Sequence, residues 1–295
     1  MTTMITRTRP RLRGWQLGFT APLFFVLLAT TILPVLYSLA LALGGSDDDL
    51  APRTPLSLDN VETVFSGGAV WDSLALVVVF LAGAMVGELA LGVFTALVLD
   101  RYLPNRHGLR VLLLWPAVLP PIAVALVFRF ILQGEIGLIS YYLGQVGIDQ
   151  EWLTQPVSAM AVIIAIDMWQ FTPFVILLTL AALKTVPDDV LEASQLDGAG
   201  AVRTAWTVVL PIIKPALISI ALLRFIDAVQ VFPTIYVLTR GGPGSSTQLL
   251  TFYNFEVFFG QLNFGQGAAI AVFVVLFTIG CVALFMQFQR RAERV

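Results

Sequence analysis

Residues Glu192–Pro211 read EASQLDGAGAVRTAWTVVLP. The stretch is polar, marked by glycines and closed by a proline, in a chain that is 58% hydrophobic and only 12% charged. Soluble domains are about 45–50% apolar and about 25% charged. With a mean hydropathy of +0.87, a polytopic membrane protein is expected. A polar segment in such a chain lies outside the bilayer, and its role there decides what kind of membrane protein this is.

Six apolar segments surround it, at 15–43, 70–99, 109–132, 157–183, 216–238 and 267–289. Each is long enough for a helix to cross a bilayer, which takes about 20 residues. Helices are the only plausible spanning element, because lipid demands internally satisfied backbone hydrogen bonds and these runs are too uniformly apolar for barrel strands. The first run begins after Arg7, Arg9, Arg11 and Arg13, and so resembles a signal peptide. It is far longer than a signal core of about 7–15 residues, and reads as an uncleaved first helix. Breakers separate the segments: GGSDDDLAPRTP after the first, DRYLPNRHG after the second and TRGGPGSS after the fifth. The single histidine, His107, falls in the second of these and reads as a solvated loop residue. One cysteine, Cys281, excludes a disulfide framework, and no metal site is expected.

Lysine and arginine placement sets the orientation. If the N-terminus is cytoplasmic, the inner stretches hold 13 of the 17 basic residues, and only Arg53 and Arg240 fall outside. Arg129 and Arg224 lie within apolar segments. Both termini are then inside, and the acidic SDDDL run is outside.

The opening stretch therefore sits in a cytoplasmic loop, 184–215, between the fourth and fifth helices. Pro187 suits the first position of a helix, and Asp188 and Asp189 suit its first turn. Gly198 and Gly200 end that helix. A second short helix is expected over 201–209, with Val202, Ala205, Trp206 and Val209 on one face. Pro211 and Pro215 are expected to break the chain before the fifth span.

The spacing resembles the EAA loop of binding-protein-dependent ABC importers: E-A-A, three residues, Gly, nine residues, an aliphatic, any residue, then Leu-Pro. Here Glu192, Ala193 and Ser194 precede Gly198, Val208, Leu210 and Pro211 in that register, with Ser194 in place of the usual third Ala. LDGAGA, WQFTPFVILLTLAAL (169–183), FIDAVQVFPTIYVLTRGGPGSST (225–247) and LNFGQGAAIAV (262–272) are similar to the carbohydrate-importer permeases of the maltose/glycerol-phosphate type. Pro233 stands where relatives often have Asp, and Arg240 where Gly is common. The resemblance implies an all-α permease fold of six transmembrane helices with a cytoplasmic coupling helix, forming one membrane domain (1–295) in a prokaryotic inner membrane. It implies that Glu192, Ala193, Ser194, Asp197, Gly198 and Ala199 dock an ATPase subunit. It also implies a second homologous permease, two ATPase subunits that bind ATP and Mg, and an external solute-binding protein. The 241–247 loop, on the outer side, would be where that protein docks, or else a flexible exposed turn. Nucleic acid is not an expected partner.

The chain is not expected to be an enzyme and needs no cofactor of its own. A phosphate-binding loop requires G-x-x-x-x-G-K-[ST], and the only lysines, Lys184 and Lys214, follow Leu183 and Ile213.

A charge at membrane depth costs about 2.5–3.5 kcal/mol, so each one has a reason to be there. Arg224 and Asp227 are spaced to pair on the fifth helix. Asp167 and Gln170 sit in the fourth beside Trp169, and Glu88 is in the second. Arg224, Asp227, Gln230 and Tyr236 with Asp167, Trp169 and Gln170 are candidates to line a sugar path, since sugars are held by planar polar groups and aromatic faces. Phe171 and Phe232 would add to the latter. A purely structural role for the Arg224–Asp227 pair and for Gln170 is the plain alternative. The rival function is an ion-driven secondary transporter, in which the three carboxylates would carry protons. That reading leaves the EAA spacing unexplained, and it expects an inverted internal repeat that the sequence does not display.

Overall fold

The structure, a computed structural model, describes residues 14–45, 50–52, 55–103, 107–134, 137–147 and 151–292. The acidic 46–49 run falls outside them. Among the described residues every regular element is helical. They are α1 (14–44, widened by a π turn at Leu28–Ile32), α2 (Asp59–Ser66), α3 (Ala69–Tyr102), α4 (His107–Val118), α5 (Pro121–Ile131) and α6 (Leu138–Gln145). There follow α7 (Pro156–Leu183), α8 (Asp188–Leu196), α9 (201–229), α10 (Pro233–Leu238), α11 (250–260) and α12 (Phe264–Ala292). Five stretches are long and apolar enough to cross a membrane: Thr20–Gly44, Ala69–Tyr102, Pro156–Leu183, Ala201–Leu238 and Phe264–Arg290. The pair α4–α5, bent by 101°, makes a sixth when counted as one broken span.

Two expectations are corrected here, the break at Pro211 and Pro215 and the loop position of His107. The third apolar segment is broken into two helices at Pro120 and Pro121, as its prolines lead one to expect. Pro120 is extended (ψ 132°) because a residue before proline is forced out of the helical region, and Pro121 then starts α5. Conversely, Pro211 and Pro215 do not break the chain. The helix that begins at Ala201 runs unbroken to Val229. The reason is a π turn at Ala205–Val209, after which the Leu210 N–H bonds the carbonyl of Ala205. That offset widens the helix and leaves a carbonyl without a donor, so a residue lacking an N–H fits immediately after it. His107, for its part, opens α4 instead of lying in the loop before it.

The centre of the molecule is the contact of α3 with α7. Gly83, Gly87 and Gly92 on α3 let α7 approach, and they face Ile164, Met168 and Val175. At Gly92 a Cβ would stand 2.5 Å from Val175 Cγ1 and 2.7 Å from its Cβ. At Gly87 it would meet only the flexible end of Met168. Gly92→Val should therefore cost about 1–3 kcal/mol through overpacking, and Gly87→Ala much less. Thermal melting of the purified protein in detergent checks the order; equal losses would mean that the helices can slide apart.

A second, smaller core joins the loop to the ends of these helices. Leu99 of α3, Leu180 and Leu183 of α7, and Val186, Val209 and Ile213 are buried together. The loop is thereby fastened to the spans rather than hanging free. In α1 only the last turns are buried, at Leu41 and Ala42, and these pack on α12; Leu23 to Leu36 present bare apolar side chains.

Candidate functional site

The loop builds a protruding turn. Pro187, with φ −66° and ψ 138°, lies one residue before α8 and caps it. Asp188 and Asp189 occupy the first turn, as their charge favours. Gly198 adopts φ +74°, and a Cβ there would touch nothing within 4 Å. The glycine is required by backbone conformation, since L residues rarely adopt a positive φ, and not by close packing within this chain. The Ala199 N–H returns to the carbonyl of Ser194 (3.0 Å) and closes the turn. Ser194 is buried. Its hydroxyl donates to the Leu191 carbonyl (2.9 Å) and lies 3.3 Å from Thr204 Oγ1, pinning α8 to the start of α9. The small residue at this place thus binds the two arms together. Glu192, Ala193, Asp197 and, most of all, Leu196 face outward; Leu196 is 89% exposed. Sequence reasoning missed Leu196. Its signal was a lone large apolar residue five positions after Leu191, out of phase with the buried face.

A second site lies at membrane depth. Arg224 is 1% exposed, and its guanidinium is shared among three helices. Its Nε and Nη2 donate to the two carboxylate oxygens of Glu88 on α3, at 2.6 and 2.9 Å. Nη2 also donates to Asp167 on α7 (2.7 Å), and Nη1 to Asp227 one turn along α9 (2.5 Å). The ring of Phe171 stacks 4.2 Å from the guanidinium carbon. The expected Arg224–Asp227 pair is present, but it is the exposed arm of a larger cluster. Glu88 and Asp167 are buried, whereas the Asp227 side chain is 60% exposed. A half-bare carboxylate at this depth is not turned to hydrocarbon; it faces water or a polar partner surface. Gln230 is exposed one turn further on.

The other candidates separate into two groups. Gln170 is buried, and its amide nitrogen donates to the Leu119 carbonyl (2.9 Å) at the break between α4 and α5. It satisfies a carbonyl that the prolines orphan. Trp169, half exposed beside it, meets Phe128 edge-on at 5.4 Å. Tyr236 stacks on Phe232 (5.4 Å) and, with Phe252 and Phe255, forms an aromatic cluster between α10 and α11. Arg129 on α5 donates to the Val237 carbonyl (2.8 Å) and ties this cluster to the bent pair. The segment after α10 is a loop closed by its own hydrogen bonds. Thr247 is wholly buried and donates to the Gly242 carbonyl (2.7 Å), and its N–H bonds the Gly241 carbonyl (3.1 Å). Arg240 has φ +50°, a region where glycine is at ease. No His, Cys, Asp and Glu grouping among the described residues has the makings of a metal site.

Residues 88–294 match the family described as the binding-protein-dependent transport system inner membrane component. The chain is 34% identical over 271 residues to a trehalose/maltose transport system permease protein MalF of Thermococcus litoralis, covering 91% of each. It is 32% identical over 286 residues to the trehalose transport system permease protein SugA of Mycobacterium tuberculosis, covering 96% of this chain and 90% of that one. Its fold matches a chain in the structure of a bacterial ABC transporter that imports the acidic polysaccharide alginate, with a TM-score of 0.82 at 20% identity over 95% of this chain and 96% of that one. The same transporter in complex with an alginate-pentasaccharide-bound periplasmic protein gives the same TM-score. Five to six apolar spans, a loop anchored to their ends and matches along most of the length agree: the chain belongs to the family of inner membrane permease components of binding-protein-dependent ABC transport systems.

Proposed function

We propose that this chain forms half of the translocation path of an ATP-driven sugar importer and receives the force of ATP hydrolysis through its 184–215 loop. The observation that carries the reading is the rigid, outward-facing turn at Glu192–Ala199, fixed at its base by Ser194 and by the small core around Leu183 and Val209. A segment that only linked two spans would need neither the anchorage nor the bare Leu196. ATP and Mg belong to two separate ATPase subunits, one of which meets Glu192, Leu196 and Asp197. The apolar flank of α1 and the exposed edge of α9 at Asp227 and Gln230 face a second, homologous permease. The closed loop 239–249 meets an external binding protein. The relatives' names point to a small neutral sugar, held by Asp227, Gln230 and Tyr236. Against ion coupling, both buried carboxylates, Glu88 and Asp167, are bonded to Arg224.

Two measurements test the reading. In a Cys281→Ser background, a cysteine at Ser245 should label from outside intact cells and one at Arg203 only from inside; labelling of both from outside would overturn the six-crossing orientation. With the whole complex reconstituted and its binding protein added, trehalose or maltose should raise ATP hydrolysis severalfold. Sugar uptake driven by an ion gradient without ATP would instead favour the secondary transporter.

A further inference from the structure

A cavity of about 470 Å³ opens between the last turns of α3, the end of α7 and the start of α9. That is within the roughly 300–1,000 Å³ spanned by ligand clefts. Its walls are apolar: Leu97 and Val98 from α3, Leu183 and Val186 from the end of α7, Leu191 from α8 and Val209 from α9. Its rim is different. Arg101, Tyr102 and Trp206 stand there, all exposed. The Asp100 carboxylate at the same rim is taken by Lys184 at 2.9 Å, so that pair contributes no net charge. Among the described residues Arg101 has no acidic partner. Arg101 thus sets an unneutralised positive charge at the mouth of a greasy chamber. Its height is also set, because tyrosine and tryptophan favour the level of the lipid headgroups, and α3 and α7 both end there.

An apolar chamber with one cation at its lip, at the headgroup level of the inner leaflet, matches one chemistry: an acyl tail joined to an anionic phosphate. Basic pockets between membrane helices on the cytoplasmic side hold such headgroups. We infer that the cavity takes an acyl chain of an anionic phospholipid, with its phosphate at Arg101. The far wall is the loop itself, at Val186, Leu191 and Val209. A lipid seated there braces the loop against α3, and this consequence for coupling rests on the function proposed above. The binding does not.

The test uses phosphatidylglycerol and phosphatidylcholine analogues that carry a photoreactive group in the acyl chain, incorporated into nanodiscs with the full complex. Crosslinks are then mapped on this chain. The phosphatidylglycerol probe should label the 97–102 and 202–209 segments about fivefold more than the phosphatidylcholine probe, as one basic group near the surface allows. Arg101→Gln should abolish that preference, and Val98→Trp, which fills the cavity, should suppress labelling by both. Equal labelling by the two lipids, or labelling that Val98→Trp leaves unchanged, overturns the site. If Val98→Trp fails to assemble, loss or retention of the preference in Arg101→Gln decides alone. Labelling reports on the lipid whether or not an ATPase is bound, so failure of the coupling proposal is seen separately: lipid preference would persist while phosphatidylglycerol left ATP hydrolysis unaltered.

Discussion

Replacing Arg224 by methionine should yield a protein that enters the membrane but melts far below the native protein once purified. The change leaves Glu88, 0% exposed, and Asp167, 5% exposed, buried without their cation. Removing one partner of a buried ion cluster costs about 3–5 kcal/mol, mostly as desolvation of the charge left behind. Arg224→Lys should be intermediate, because an ammonium cannot bridge Glu88 with two donors as the guanidinium fork does. Neutralising the buried group together (Glu88→Gln, Asp167→Asn, Arg224→Met) should restore most of the loss, since the one charge left, Asp227, is 60% exposed. A charge swap of Arg224 with Asp227 should not rescue folding, because it would set a third carboxylate against Glu88 and Asp167. Asp227→Asn should hardly change the melting temperature, yet lower transport if its exposed oxygen serves the path. Native melting of Arg224→Met would show that the cluster contributes nothing to stability.

Gly198→Val should nearly abolish transport while leaving the permease folded. A β-branched residue held at φ +74° costs about 1–3 kcal/mol, and the turn escapes that cost by changing shape. The distortion falls on the exposed tip and not on the core, because a Cβ there meets no neighbour in this chain. Glu192→Ala removes one contact of the charge-assisted kind, worth about 1.5–3 kcal/mol when its partner is a basic group. Leu196→Asp should act similarly by placing a charge where an apolar side chain docks. The measurements are co-purification of the ATPase subunit, ATP hydrolysis and uptake, each compared with the melting temperature of the permease alone. Uptake at the native rate with the ATPase fully bound in all three variants would reject the loop as the coupling element and leave it an ordinary surface helix.

Spans and loop were legible because their signals are local. A run of about 20 apolar residues is a helix in lipid whatever surrounds it. The EAA spacing, the glycine at 198 and the polar interruption at 192–211 are likewise carried by neighbouring residues. The continuity of α9 through Pro211 was not legible, since a π turn leaves the composition unchanged. Nor was the partner of the Leu119 carbonyl at the bend, Gln170, which lies 51 residues away.

The sequence by itself thus determined the class, the apolar spans and the place of the polar loop between the fourth and fifth of them. Only the tertiary structure decided what the polar groups at membrane depth do. Arg224 and Asp227 are one turn apart and pair by helix geometry alone. Glu88 is 136 residues from Arg224 and reaches it only through the packing of α3 against α9. Hydrophobic periodicity is written along a helix, but a buried charge is satisfied across helices, and nothing in a one-dimensional spacing says which carboxylate will arrive.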